Sequence, residues 1–187
     1  MPKKHIFKKY KIALNIILGL LAAGALFMAG FYLPKNPEVI FYSLIESEFF
    51  SAADRFLEFA ARRDTIGAAR CHVLARDLGS TLYEYNDGDL QKSVSECGAT
   101  CYAGCFSGVI RAHIETEIPN LDSEALKELC GSFDNPVYTG DCAHQSGHLA
   151  SGRFKTAGGA IEFCGNFSEN KRSDCYHGTL HQIFEES

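Results

Sequence analysis

The chain has 187 residues, 46% of them hydrophobic and 12% aromatic, which allows one modest core and argues against wholesale disorder. Basic residues number 18 against 23 acids, but Lys3, Lys4, Lys8, Lys9 and Lys11 crowd the first eleven positions, where no acid occurs. From residue 36 onward the balance is 12 basic to 23 acidic, a net of −11. That part would repel nucleic acid, so no nucleic-acid partner is expected.

Residues 12–33 (IALNIILGLLAAGALFMAGFYL) carry no formal charge, and only Asn15 is strongly polar. At ~1.5 Å per residue, a helix of this length crosses the ~30 Å hydrocarbon layer. The expectation is a transmembrane signal anchor, through which the chain meets the membrane. The basic cluster before it places residues 1–11 in the cytoplasm and the rest outside, periplasmic or extracellular. A cleaved signal peptide is the alternative, since Ala23-Gly24-Ala25 has the small-x-small form of a cleavage site. That tripeptide lies inside the apolar run rather than after it. Either way the remainder is exported.

Past Pro34 and Pro37, residues 34–63 read as a membrane-proximal helical segment. Val39, Ile40, Leu44, Phe49, Phe50, Phe56, Leu57 and Ala60 recur at three- and four-residue steps, with a break near Ser51. Residues 64–187 form the Cys/His-rich part. The spacing predicts a helix over 65–85, ended by the turn Asn86-Asp87-Gly88-Asp89, then a helix over 95–116 closed by Pro119-Asn120. Asp122-Ser123-Glu124 opens a short helix stopped at Cys130-Gly131. Asn135-Pro136 and Thr139-Gly140 read as a loop, followed by three more short helices. No alternating run long enough for a sheet is present. The expected fold is all-α: a transmembrane helix, then a disulfide-stapled helical bundle.

All eight cysteines (Cys71, Cys97, Cys101, Cys105, Cys130, Cys142, Cys164 and Cys175) follow the apolar run. An even number in an exported chain reads as disulfides. Cys97, Cys101 and Cys105 would stack on one face of a continuous helix, where disulfide geometry fails. Each therefore bonds elsewhere, or the helix starts only near Tyr102. Cys164 with Cys175 and Cys130 with Cys142 are the expected pairs, closing loops of about a dozen residues. Neither Cys-x-x-Cys nor Cys-x-x-Cys-His occurs, which argues against a thioredoxin-like centre and excludes ordinary covalent haem attachment.

The chain also repeats itself. Setting His72 against His144 aligns the first block. Cys97-Gly98 then corresponds to Cys164-Gly165, and Cys105 to Arg111 corresponds to Cys175 to His181. Two degenerate helix pairs would thus complete one core between them.

His144 with His148, and His177 with His181, are each four apart, so each pair shares a helix face. Antiparallel packing of those helices would converge four imidazoles on one metal ion. Four nitrogens suit Zn or Cu(II), and two opposing ones suit non-covalent haem. In this alignment the first copy keeps only His72, with Arg76, Ser107 and Arg111 at the other positions, so at most one half holds metal. The competing reading makes the histidines hydrogen-bond donors in a small core. Zinc-protease chemistry is excluded, because Gln145 and Gly178 stand where His-Glu-x-x-His needs its glutamate. A cysteine–histidine hydrolase is also disfavoured. Cys142 and His144, like Cys175 and His177, are two apart and point to different helix faces.

The blocks Cys71-His72-x-x-Ala75-Arg76-x-x-Gly79, Cys101-x-x-Gly104-Cys105 and Cys175-Tyr176-His177-Gly178 resemble a pattern in exported microbial proteins. Those proteins carry repeated Cys-His-x-x-Ala-His-x-x-Gly and Cys-x-x-Gly-Cys-Tyr-His-Gly blocks. The resemblance runs from Cys71 to the C-terminus and implies the repeat without implying an activity. Arg76, Ser107 and Lys171 depart from the pattern. The function expected is a membrane-anchored extracytoplasmic binding or structural module, with a metal-dependent or redox enzyme in the same cleft as the alternative.

Overall fold

The structure is a computed structural model and describes residues 36–98, 100–154 and 156–185. The chain divides into two compact units, Met1–Ile40 and Phe41–Ser187. The first is described only from Asn36, and the predicted membrane span at 12–33 lies outside the described residues. Among the described residues no helix is long and apolar enough to cross a membrane.

Nine helices and no strand occur among the described residues. They are α1 (Pro37–Glu46), α2 (Phe50–Arg62), α3 (Ala68–Tyr85), α4 (Leu90–Glu96), α5 (Thr100–Glu117), α6 (Ser123–Gly131), α7 (Pro136–Phe154), α8 (Ala157–Cys164) and α9 (Glu169–Glu185). Several starts follow from capping chemistry. Asp89 Oδ1 accepts from Lys92 N, Asp122 Oδ1 from Glu124 N and Ala125 N, and Thr156 Oγ1 from Gly159 N. Asn135 Oδ1 likewise accepts from Val137 N, with Pro136 in the first turn.

That last cap corrects the loop expected at 135–140. Asn-Pro here starts a helix rather than a turn, and Thr139-Gly140 lie inside α7. Gly140 lies against Asp174 of α9, whose Oδ2 would stand 2.9 Å from a Cβ there. The helix α4 was also not expected. It is seven residues long, too short to show a period, and the turn before it supplies its cap.

Between Glu96 and Gly104 the backbone does not run on as one helix. Cys101, Tyr102 and Ala103 all take the left-handed conformation, with φ of 55°, 57° and 58°. Right-handed geometry resumes at Gly104, close to the start near Tyr102 that is one of the two outcomes the cysteine spacing allows. The bonds are Cys71–Cys101, Cys97–Cys105, Cys130–Cys142 and Cys164–Cys175, and no cysteine is free. Both pairs expected from sequence are present. Every bond includes a buried cysteine, as in structural staples of an oxidising compartment.

Two helix pairs, α3 with α5 and α7 with α9, dominate the packing. Each is closed by glycine on both sides. A Cβ at Gly79 would strike the Cys105 carbonyl, and one at Gly108 the Arg76 carbonyl. In the second pair Gly147 meets the Cys175 carbonyl and Gly178 the His144 carbonyl in the same way.

These crossings set the register between the copies. Gly79 matches Gly147, Gly108 matches Gly178, and Arg76 matches His144. The alignment of His72 with His144 is therefore one helical turn out. Ser80, not Arg76, stands at the position of His148. One core cluster gathers α1, α2 and α3 around Leu57, Leu74 and Leu78. The other gathers α5 to α8 around Phe106, Ile110 and Leu126.

Candidate metal centre

The histidine pairs lie on α7 and α9, which cross at Gly147 and Gly178 with no side chain between the backbones. This close approach brings the facing imidazoles together. Nε2 of His148 stands 3.0 Å from Nε2 of His144 and 3.2 Å from Nδ1 of His181. All three nitrogens lie within 4.8 Å of one another. Tetrahedral coordination with ~2.0–2.1 Å metal–nitrogen bonds spaces its ligand nitrogens by about 3.3 Å, so two edges of this triangle are near metal-ready.

The protonation pattern fits the same use. Nδ1 of His148 lies 2.8 Å from Oε1 of Gln182, which can only accept, so Nδ1 donates and Nε2 keeps its lone pair. That lone pair faces the other two rings, and His148 itself is 4% exposed. Burial pushes His144 down to about 3, and the neighbouring His148, His177, His181 and His72 push the same way. Its ring is therefore neutral and able to ligate at ordinary pH.

The fourth expected ligand does not join the triad. The His177 ring packs 5.0 Å from that of His144, centroid to centroid, but His177 is not among the three residues whose ring nitrogens gather within 4.8 Å. Its side chain is exposed beside a separate cavity that Asp141, His144 and Asp174 also line.

Two further histidines, His113 and His72, take hydrogen-bonding roles. His113 Nδ1 is 3.0 Å from the Tyr83 hydroxyl, and burial lowers its pKa. His72 Nδ1 donates to the Cys101 carbonyl at 3.1 Å, bracing the left-handed turn. The structural reading of histidine thus holds for these two residues. Opposite the triad, the matching positions of the first pair are Arg76, Ser80, Ser107 and Arg111, none of which is a histidine.

Sequence reasoning missed the polar support of the site. Ser107 donates from α5 to Asp141 Oδ2 of α7 at 2.6 Å, tying the two pairs together. Burial raises the Asp141 carboxyl to about 6, against the hydrogen bonds from Ser107 and Gln145, while Asp174 nearby raises it further. Gln182 directly follows His181 and was equally overlooked. A glutamine next to a ligand histidine is a weak signal until the helices are docked. The register was legible, because Ala75-x-x-x-Gly79 and Ala143-x-x-x-Gly147 share a spacing that points to the glycine crossing.

Two cavities of about 360 and 340 Å³ flank the triad. The first is lined by Arg111, Leu121, His148, Arg153 and Gln182, the second by His72, Val73, Arg76, Tyr102, His148 and His181. Were an ion held by these three nitrogens, the adjoining open space would leave it a free coordination position, unlike a closed structural site. No family model, curated protein or solved structure matches this chain.

Proposed function

We propose that the protein is an extracytoplasmic module, held at the outer face of the membrane by residues 12–33, that binds one transition-metal ion through His144, His148 and His181. The observation that carries this reading is the nitrogen triangle, with its central lone pair aimed by Gln182. Three imidazoles and an open position suit Zn(II) or Cu(II). Haem fits less well. Two axial ligands on opposite sides of one iron stand about twice a bond length apart, ~4 Å, with a macrocycle between them. Here three rings converge from one side at 3.0 and 3.2 Å.

The full chain, purified oxidised in detergent, loaded with zinc and dialysed, is expected to hold near-stoichiometric metal. His148→Ala, with unchanged helical circular dichroism, should lose it. Metal-free wild-type protein whose melting is unaffected by chelator would contradict the reading.

The open position supports a second reading, a metal-dependent enzyme in the same cleft. A thiol-based redox activity has no support, because all eight cysteines are bonded.

A further inference from the structure

The cavity beside the triad has a second charged wall. Arg76 projects from α3, and no hydrogen bond or ion pair to its guanidinium occurs among the described residues. No carboxylate of the described residues engages the guanidinium, so its planar donors are available to an anion entering the cavity. Arg76 occupies the position in the first helix pair that His144 holds in the second. The near-symmetry of the fold thus brings the diverged residue to face the site its counterpart helps build. Ala68, Ala69, Val73 and the Tyr102 ring add apolar surface on this side, and His72, whose Nδ1 is engaged by the Cys101 carbonyl, completes the lining. At about 340 Å³ the space is that of a small molecule.

We infer that this cavity binds a monocarboxylate with a small apolar body, its carboxyl group reaching between the open metal position and the Arg76 guanidinium. The inference rests on the three-histidine metal reading. The planar fork of arginine matches a carboxylate in two parallel hydrogen bonds, and the other carboxyl oxygen is a hard ligand for the ion. The single negative charge follows from the surroundings. A body with a net charge of −11 from residue 36 onward disfavours phosphates and other multiply charged anions. The body of the ligand lies along Val73, Ala68 and Ala69, with Tyr102 at the mouth, 80% exposed and free to cover it.

The test uses the full chain loaded with Co(II), whose visible spectrum reports the ligands around the ion. Benzoate should change that spectrum saturably, and Arg76→Gln should weaken benzoate about tenfold or more while leaving cobalt stoichiometry unchanged. If cobalt is bound but benzoate leaves the spectrum unmoved, or Arg76→Gln binds benzoate as well as wild type, the carboxylate site is wrong and the metal centre stands. Inorganic phosphate binding more tightly than benzoate would overturn the monocarboxylate assignment. If no cobalt binds, the metal reading fails and the inference falls with it.

Discussion

Gln182 accepts the Nδ1 proton of His148, and that bond decides which nitrogen of the ring faces its neighbours. Replacing Gln182 by Leu keeps all three histidines and removes the acceptor that orients His148. Metal affinity should then fall about 10- to 100-fold without loss of stoichiometry, measured by competition with a chromophoric chelator. An unchanged affinity would show that the tautomer is set elsewhere. Asp141 makes a residue-scale prediction of opposite kind. Its pKa is raised from 3.8 to about 6 in the folded chain, chiefly by burial. The stability it contributes is therefore complete below pH 4 and lost as pH rises through about 6. Asp141→Asn cannot ionise, yet its amide oxygen still accepts from Ser107. In chelator, its unfolding free energy minus that of wild type should climb between pH 4 and 7, by on the order of 3 kcal/mol. A difference that stays flat with pH would contradict the burial of that carboxyl.

Among the elements, the turn at Cys101, Tyr102 and Ala103 shows most clearly what periodicity hides. Three consecutive non-glycine residues in left-handed geometry leave no trace in hydrophobic spacing, and each costs roughly 1 kcal/mol. The turn persists because covalent bonds hold it: Cys101 to Cys71 in α3, and Cys97 to Cys105 across it. Tyr102 is 80% exposed and has little packing to lose. Tyr102→Gly should stabilise the oxidised protein by about 1 kcal/mol in a denaturant titration. Destabilisation instead would mean that the tyrosine ring, not the staples, holds the turn. Legibility varied between elements for physical reasons. A long helix with regular apolar steps, α3, lies within a few residues of its expected bounds, whereas the 17-residue α9 falls in a stretch expected to hold only short helices. The seven-residue α4 has no room for a period, and the start of α7 was hidden because Asn-Pro signals a turn and a helix cap equally well.

At the scale of the molecule, two glycine-locked helix pairs stand side by side, and the second presents its histidine face where the first presents arginines and serines. The cysteine count and spacing reveal the stapled frame from sequence alone, because loop closure is a local constraint. The histidine triad is only half visible in this way. Spacing puts His144 with His148 and His177 with His181 on shared faces, but which ring turns inward depends on the crossing at Gly147 and Gly178. His181 meets the triad and His177 does not. The repeat misled at one point, where aligning His72 with His144 favoured a residue identity over the Ala-x-x-x-Gly spacing that governs packing. The most direct test of the account is X-ray absorption at the zinc edge on the zinc-loaded full chain. Three imidazoles and a light-atom ligand at about 2 Å, with no sulfur shell, are expected. A zinc spectrum dominated by sulfur, or one with fewer than two imidazoles, would contradict the three-histidine reading.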